Sequence, residues 1–173
     1  MYKALKAFIL VFYICCAGFN AFAQQNVKTA NPEFSRLHDS LLVISNHILN
    51  AKENADRFSH NATFIKTLVQ TLKLPNSYDF SFDSLSMVSV LKSPDNTFKI
   101  FSWFVPTNEG GFRYFGSIQQ RSKDGRLNLL SLVDGTEHFV DSNAVSDHKK
   151  WFGSRYYEMV PITANTKDPY YVL

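Results

Sequence analysis

The chain of 173 residues suffices for one domain of ordinary size and not for two. Hydrophobic residues make up 45% of it and charged residues 19%, a balance that buries enough apolar surface to offset chain entropy and excludes an intrinsically disordered protein. Formal charge is +3, but Lys3 and Lys6 lie in a leader, and beyond it 16 basic residues face 15 acidic ones, which excludes a nucleic-acid binder that works by neutralising phosphates.

Met1 to Ala23 has the layout of a secretory signal peptide. Lys3 and Lys6 supply the positive start, Ala7 to Ala17 is an unbroken apolar run, and Ala21-Phe22-Ala23 fits the small-x-small cleavage pattern. The run is shorter than the ~18 apolar residues of a spanning helix, so no stable membrane anchor is expected once the signal is removed. Ile14 before Cys15 and Cys15 before Cys16 fit a lipoprotein signal poorly. Both cysteines fall inside the leader, so the mature chain has no thiol for a disulfide, a nucleophile or a thiolate metal site.

Residues 24–31 are polar and read as a flexible lead-in to a single domain over 32–173. Phe34, Leu37, Leu41, Ile44, Ile48, Ala51 and Ala55 recur at helical spacing, widened by Leu42 and Leu49, with Asn31 as cap and Pro32 in the first turn. Few flanking charges and a short run favour packing on the chain's own domain over a coiled-coil seam. Asp56 to His60 reads as a polar join. A second helix is expected over Ala62 to Lys73, capped by Asn61, with Ile65, Leu68, Val69 and Leu72 inward and Pro75 as its stop. Asn61-Ala62-Thr63 is also a formal glycosylation sequon.

After Pro75 the apolar period drops to two. Strands are expected over Met87 to Leu91, Phe98 to Val105, Phe112 to Gln120 and Leu127 to Val133, with later strand material in Arg155 to Ile162 and Tyr170 to Leu173. Ser93-Pro94-Asp95-Asn96, Asn108-Glu109-Gly110-Gly111 and Lys123-Asp124-Gly125-Arg126 carry turn chemistry. Phe98 to Val105 is apolar on both faces and so central, whereas Arg113, Ser117 and Gln119 give the next strand one wet face. Two helices followed by short strands indicate an α+β fold, an N-terminal helix pair packed on an antiparallel β-meander. Tyr170-Tyr171-Val172-Leu173 ends in mid-strand, so one further strand is expected beyond Leu173.

The usual enzymatic signatures are missing: no G-x-S-x-G, Walker A, G-x-G-x-x-G or H-E-x-x-H sequence occurs. No cofactor is expected. Glu137, His138, Asp141, Asp147 and His148 bring carboxylates and imidazoles together, and a hydrolase would use His138 or His148 as base beside Asp141. The ten-residue spacing of the two histidines matches no compact zinc motif. His38 and His47 fall on the polar side of the first helix and need no function. Of the aromatic residues, Trp151 and Tyr157 flank Arg155, and this trio is the candidate ligand-binding cluster, because arginine and large aromatics anchor interfaces.

Phe80-Ser81-Phe82-Asp83-Ser84-Leu85, Ser93-Pro94-Asp95 with Phe98 to Trp103, Tyr114-Phe115-Gly116, Trp151-Phe152-Gly153 with Tyr156-Tyr157, and the closing Tyr170 to Leu173 together carry a resemblance. On them the chain resembles an uncharacterised family of secreted proteins from Bacteroidota, a domain of unknown function. The resemblance covers about Tyr78 to Leu173 and implies no activity and no catalytic residue. The single Ser93-Pro94-Asp95-Asn96 is similar to a β-propeller blade turn, but a propeller needs at least about four repeated blades. The expectation is an exported, cofactor-free binding or structural module of the envelope or exterior, partnered by an envelope protein or glycan, with a hydrolase acting on an envelope or extracellular substrate as the alternative.

Overall fold

The computed structural model describes residues 31–135, 147–162 and 170–172. Helix α1 (Pro32–Asn50) opens on proline, whose missing N–H costs nothing in a first turn. It buries Phe34, Leu37, Leu41, Ser45 and Ile48, while Leu49, expected inward, is exposed. Ser45 sits on this apolar face at little cost because its hydroxyl donates to the Leu42 carbonyl at 2.8 Å.

The stripe does not continue through Ala51 and Ala55. The chain breaks at an extended Glu53, and helix α2 (Asn54–Lys73) starts well before Ala62. The polar Asp56 to His60 is therefore not a join but part of α2. It holds no glycine or proline, and a polar run of that kind propagates a helix. Asn61 is consequently in mid-helix and buried, with Phe64, Leu68, Thr71 and Leu72. Leu74 is extended ahead of Pro75, as a residue preceding proline must be to avoid its ring.

A short 3-10 turn over Ser77–Asp79 leads into the meander: β1 (Ser89–Lys92), β2 (Phe98–Pro106), β3 (Phe112–Arg121) and β4 (Leu127–Leu132), all antiparallel in the order β1-β2-β3-β4. The protein is thus an α+β fold with a helix pair ahead of and packed on an antiparallel sheet. Register fixes which side chains meet the helices. Val90 pairs with Phe101, Phe101 with Ser117, Trp103 with Phe115 and Lys99 with Gln119, so these share the helix-facing side. Phe101, Trp103 and Val105 form the core with Leu41, Ile48, Phe64, Leu68, Leu72 and Phe82. Phe64 meets the Trp103 ring edge-on at 5.4 Å, and Phe82 meets Phe101 at 5.5 Å. Each such large side chain contributes roughly 1.5–3 kcal/mol of burial.

Of the polar residues expected to give β3 a wet face, only Arg113 is exposed. Ser117 and Gln119 are buried beneath the helices. The Gln119 amide donates to the Leu72 carbonyl at 2.8 Å and to Ser77 Oγ at 2.9 Å, and Ser77 Oγ donates to the same carbonyl at 2.9 Å. Carbonyls in the last turn of a helix have no partner within it, so the sheet caps α2 from below.

The opposite side of the sheet carries a third layer. Val133 N–H donates to the His148 carbonyl and Trp151 N–H to the Val133 carbonyl, both at 2.8 Å, which starts residues 147–159 along the sheet. Tyr156 N–H then donates to Ser102 Oγ at 3.0 Å, and Ser89 Oγ donates to the Tyr156 carbonyl. The backbone partners of Tyr156 are serines of β1 and β2, and residues 152–159 form no ladder among the described residues; beyond them β5 (Val160–Ile162) and β6 (Tyr170–Val172) pair as a separate ribbon. Tyr171 of this ribbon meets the Phe98 ring edge-on at 5.3 Å.

Candidate functional site

Trp151, one of the three expected ligand-binding residues, is buried. Its indole N–H donates to the Tyr156 hydroxyl at 2.6 Å, and its ring lies 6.2 Å from that of Tyr156. A third layer needs an apolar anchor of its own, and Trp151 serves as that anchor and not as a contact surface. Gly153 follows because the third-layer segment 147–159, a strap across the sheet, runs against it here: a Cβ on Gly153 would lie 2.9 Å from both Tyr114 Cβ and Asp134 Oδ2.

Arg155 and Tyr157 are brought together where the strap crosses the β2–β3 end of the sheet. The Arg155 guanidinium lies 5.4 Å from the Tyr157 ring and 5.7 Å from the Phe104 ring, and it donates to the Ser86 carbonyl at 3.2 Å. Phe104 in turn meets Phe112 edge-on at 4.8 Å. Tyr157 is 75% exposed and Phe112 51% exposed, so the row Phe112, Phe104, Arg155, Tyr157 forms a continuous aromatic and cationic surface. Arg155 Nε is buried and has no hydrogen-bond partner among the described residues. Phe104 and Phe112 were not singled out in the sequence; their alternation inside strands marks them equally well as core.

The expected acid–base cluster is described only in part. His138, Asp141 and the cleavage-site Ala21 and Ala23 lie outside the described residues. His148 contributes its carbonyl to the Val133 N–H, and its imidazole makes no hydrogen bond among the described residues. The Asp147 carboxylate accepts from the Lys149 and Lys150 amides, at 2.9 and 3.1 Å, which holds it below the usual carboxylate range.

His38, which the sequence left without a role, is packed. Its ring stacks over Phe34, meets Phe80 edge-on at 4.9 Å, and shares a 2.9 Å hydrogen bond between Nε2 and Ser84 Oγ. Asp39 Oδ1 stands 4.0 Å from His38 Nδ1, beyond hydrogen-bond reach. Elsewhere, Lys92, Lys99 and Arg121 surround the buried Tyr78 ring at 5.3–5.5 Å. Burial, reinforced by the Lys92 charge, brings the Lys99 amine down to about 8, and its Nζ donates to the Phe80 carbonyl at 2.7 Å. The Tyr78 hydroxyl is buried without a hydrogen-bond partner among the described residues, and burial and the Asp95 charge push its ionisation up.

Among the described residues no group of three or more His, Cys, Asp or Glu is placed to hold a metal ion, and no helix is long and apolar enough to cross a membrane. Compared with protein-family models, with curated proteins and with solved structures, the chain matches none of them.

Proposed function

We propose that this chain is an exported binding module of the bacterial envelope or exterior, of the secreted Bacteroidota type that its strand motifs resemble, and that it engages an envelope protein or glycan through Phe112, Phe104, Arg155 and Tyr157. The observation that carries this reading is the Arg155 guanidinium, fixed against two aromatic rings and the Ser86 carbonyl beside a Tyr157 that is largely in solvent. Such a surface loses little side-chain entropy on binding, because the arginine is already ordered. Tyrosine and arginine are also the residue types that carry most binding energy at contact surfaces. The test is binding of the mature chain to its own envelope fraction, before and after protease and before and after periodate. Protease abolishes binding to a protein partner and periodate abolishes binding to a glycan; binding that survives in Tyr157→Ala and Arg155→Ala contradicts the assignment.

The second reading is an envelope hydrolase, and the observation in its favour is the Ser84–His38 hydrogen bond, the geometry of a nucleophile and its base. It ranks second because Asp39 is too far to orient the imidazole. A fluorophosphonate that labels Ser84 in the wild type and not in His38→Asn supports it; equal labelling of both, or none, removes it.

A further inference from the structure

His47 and His60 meet at the solvent-facing margin of the α1–α2 contact, with ring centres 5.1 Å apart and planes inclined at 63°. His47 is exposed and His60 half-buried. Among the described residues neither imidazole has a hydrogen-bond partner, whereas the His38 ring is tied to Ser84. Their ring nitrogens are therefore available to a ligand.

The helices beneath the pair are fixed by the core. Ile48, next to His47, and Phe64, one turn after His60, are fully buried, and Ile44, one turn before His47, packs against the same cluster. The backbones that carry the two imidazoles are thus held while the rings turn freely, which keeps the ordering cost of joint binding low. The local charge suits a cation. His47 stands in the last turn of α1, at the negative end of the helix dipole, and His60 lies past the first turn of α2, out of reach of the opposite pole. Asp56, four residues before His60, adds a carboxylate on that side of α2. The Arg57 guanidinium is engaged by Ala51, Asn54 and Asn108.

The separation of the rings selects among metals. Imidazole nitrogens at about 2.0–2.1 Å from an ion place each ring centre about 3.2 Å from it. A tetrahedral angle then sets the two centres about 5.2 Å apart, and the right angle of a square-planar ion about 4.5 Å. The observed 5.1 Å matches the tetrahedral arrangement, the preference of zinc over that of Cu²⁺. We propose that His47 and His60 together bind a zinc ion, with water filling its remaining positions, and that the ion clamps the end of α1 to α2 across the break at Ala51 to Glu53. The site uses neither Arg155 nor Tyr157 and stands whether or not that surface binds a partner.

The test is calorimetric titration of the untagged mature chain with zinc chloride, as wild type and as His47→Ala, His60→Ala and His148→Ala. Wild type binds one zinc ion per chain, His148→Ala matches it, and each variant of the pair binds at least about tenfold more weakly because one imidazole is left. Zinc also raises the thermal midpoint of the wild type, EDTA reverses the rise, and neither variant of the pair responds. Zinc-free midpoints of the variants, and His60→Gln, which keeps most of the side-chain bulk, separate a lost ligand from a lost fold. Absence of zinc binding, unchanged affinity in a stably folded variant of either His47 or His60, or loss confined to His148→Ala overturns the proposal. One zinc ion per two chains also overturns it, because the site then lies between copies.

Discussion

The Trp103 indole N–H donates to Asn61 Oδ1 at 2.8 Å, inside the contact between α2 and the sheet. Both residues are buried, so this bond fixes the rotation of α2 over β2 in a way that apolar contacts alone do not. Asn61→Leu leaves a buried indole donor unpaired, and a loss of about 1–3 kcal/mol in urea unfolding is expected. Trp103→Phe with Asn61→Leu recovers part of it, because both polar partners are then gone. The same burial closes the Asn61-Ala62-Thr63 sequon in the folded chain, so mass spectrometry of protein glycosylated after folding finds no glycan on Asn61.

Gln119 couples the sheet to the end of α2 through the Leu72 carbonyl. Gln119→Leu fits the apolar surroundings but removes the cap, and destabilisation of about 1–2 kcal/mol is expected. Amide exchange at the C-terminal turn of α2 rises more than exchange in β2; equal change in both contradicts a local cap.

Stability depends on pH through Lys99 and Tyr78. The Lys99 amine ionises at about 8 in the fold and at 10.5 when unfolded, so between these values the unfolded chain binds more protons and stability climbs with pH. The climb is at most about 3 kcal/mol and is smaller to the extent that solvent screens the amine. Tyr78 works the other way: its folded hydroxyl holds its proton above the ordinary 10.0, so above that value the unfolded chain binds fewer protons and stability falls. Urea midpoints therefore peak between these two limits. Lys99→Met flattens the climb, and Tyr78→Phe removes its share of the fall.

Arg57 joins the helices to the β2–β3 turn. It donates to the Ala51 carbonyl at 2.9 Å and to Asn108 Oδ1 at 2.6 Å, while Asn54 Nδ2 donates to both Glu109 oxygens at 3.1 Å. Arg57→Ala is expected to cost about 1–2 kcal/mol in thermal unfolding and to speed exchange in the 107–111 turn.

The fold class was legible because the apolar period changes from helical to alternating at Pro75, and glycine, proline and asparagine mark the turns. The break between the helices was not, because Ala51-Lys52-Glu53 holds no breaker and the polar run after it differs from a loop only in its surroundings. Gln119 read as a wet face because pattern alone does not distinguish a solvated amide from one that caps a helix 47 residues away in sequence. In the candidate site, Arg155 and Tyr157 were visible as an exposed-type pair, but Trp151 was misplaced: only the strap that folds back on the sheet determines which aromatics it covers.

The central claim is that the strap presents Arg155 and Tyr157 as a recognition surface. The most direct measurement compares envelope binding by wild type, Tyr157→Ala and Trp151→Phe, with urea stability recorded for each. The account predicts that Tyr157→Ala keeps wild-type stability and loses binding at least about tenfold, while Trp151→Phe, which breaks the bond to Tyr156, loses stability first. Wild-type binding by a stably folded Tyr157→Ala contradicts it.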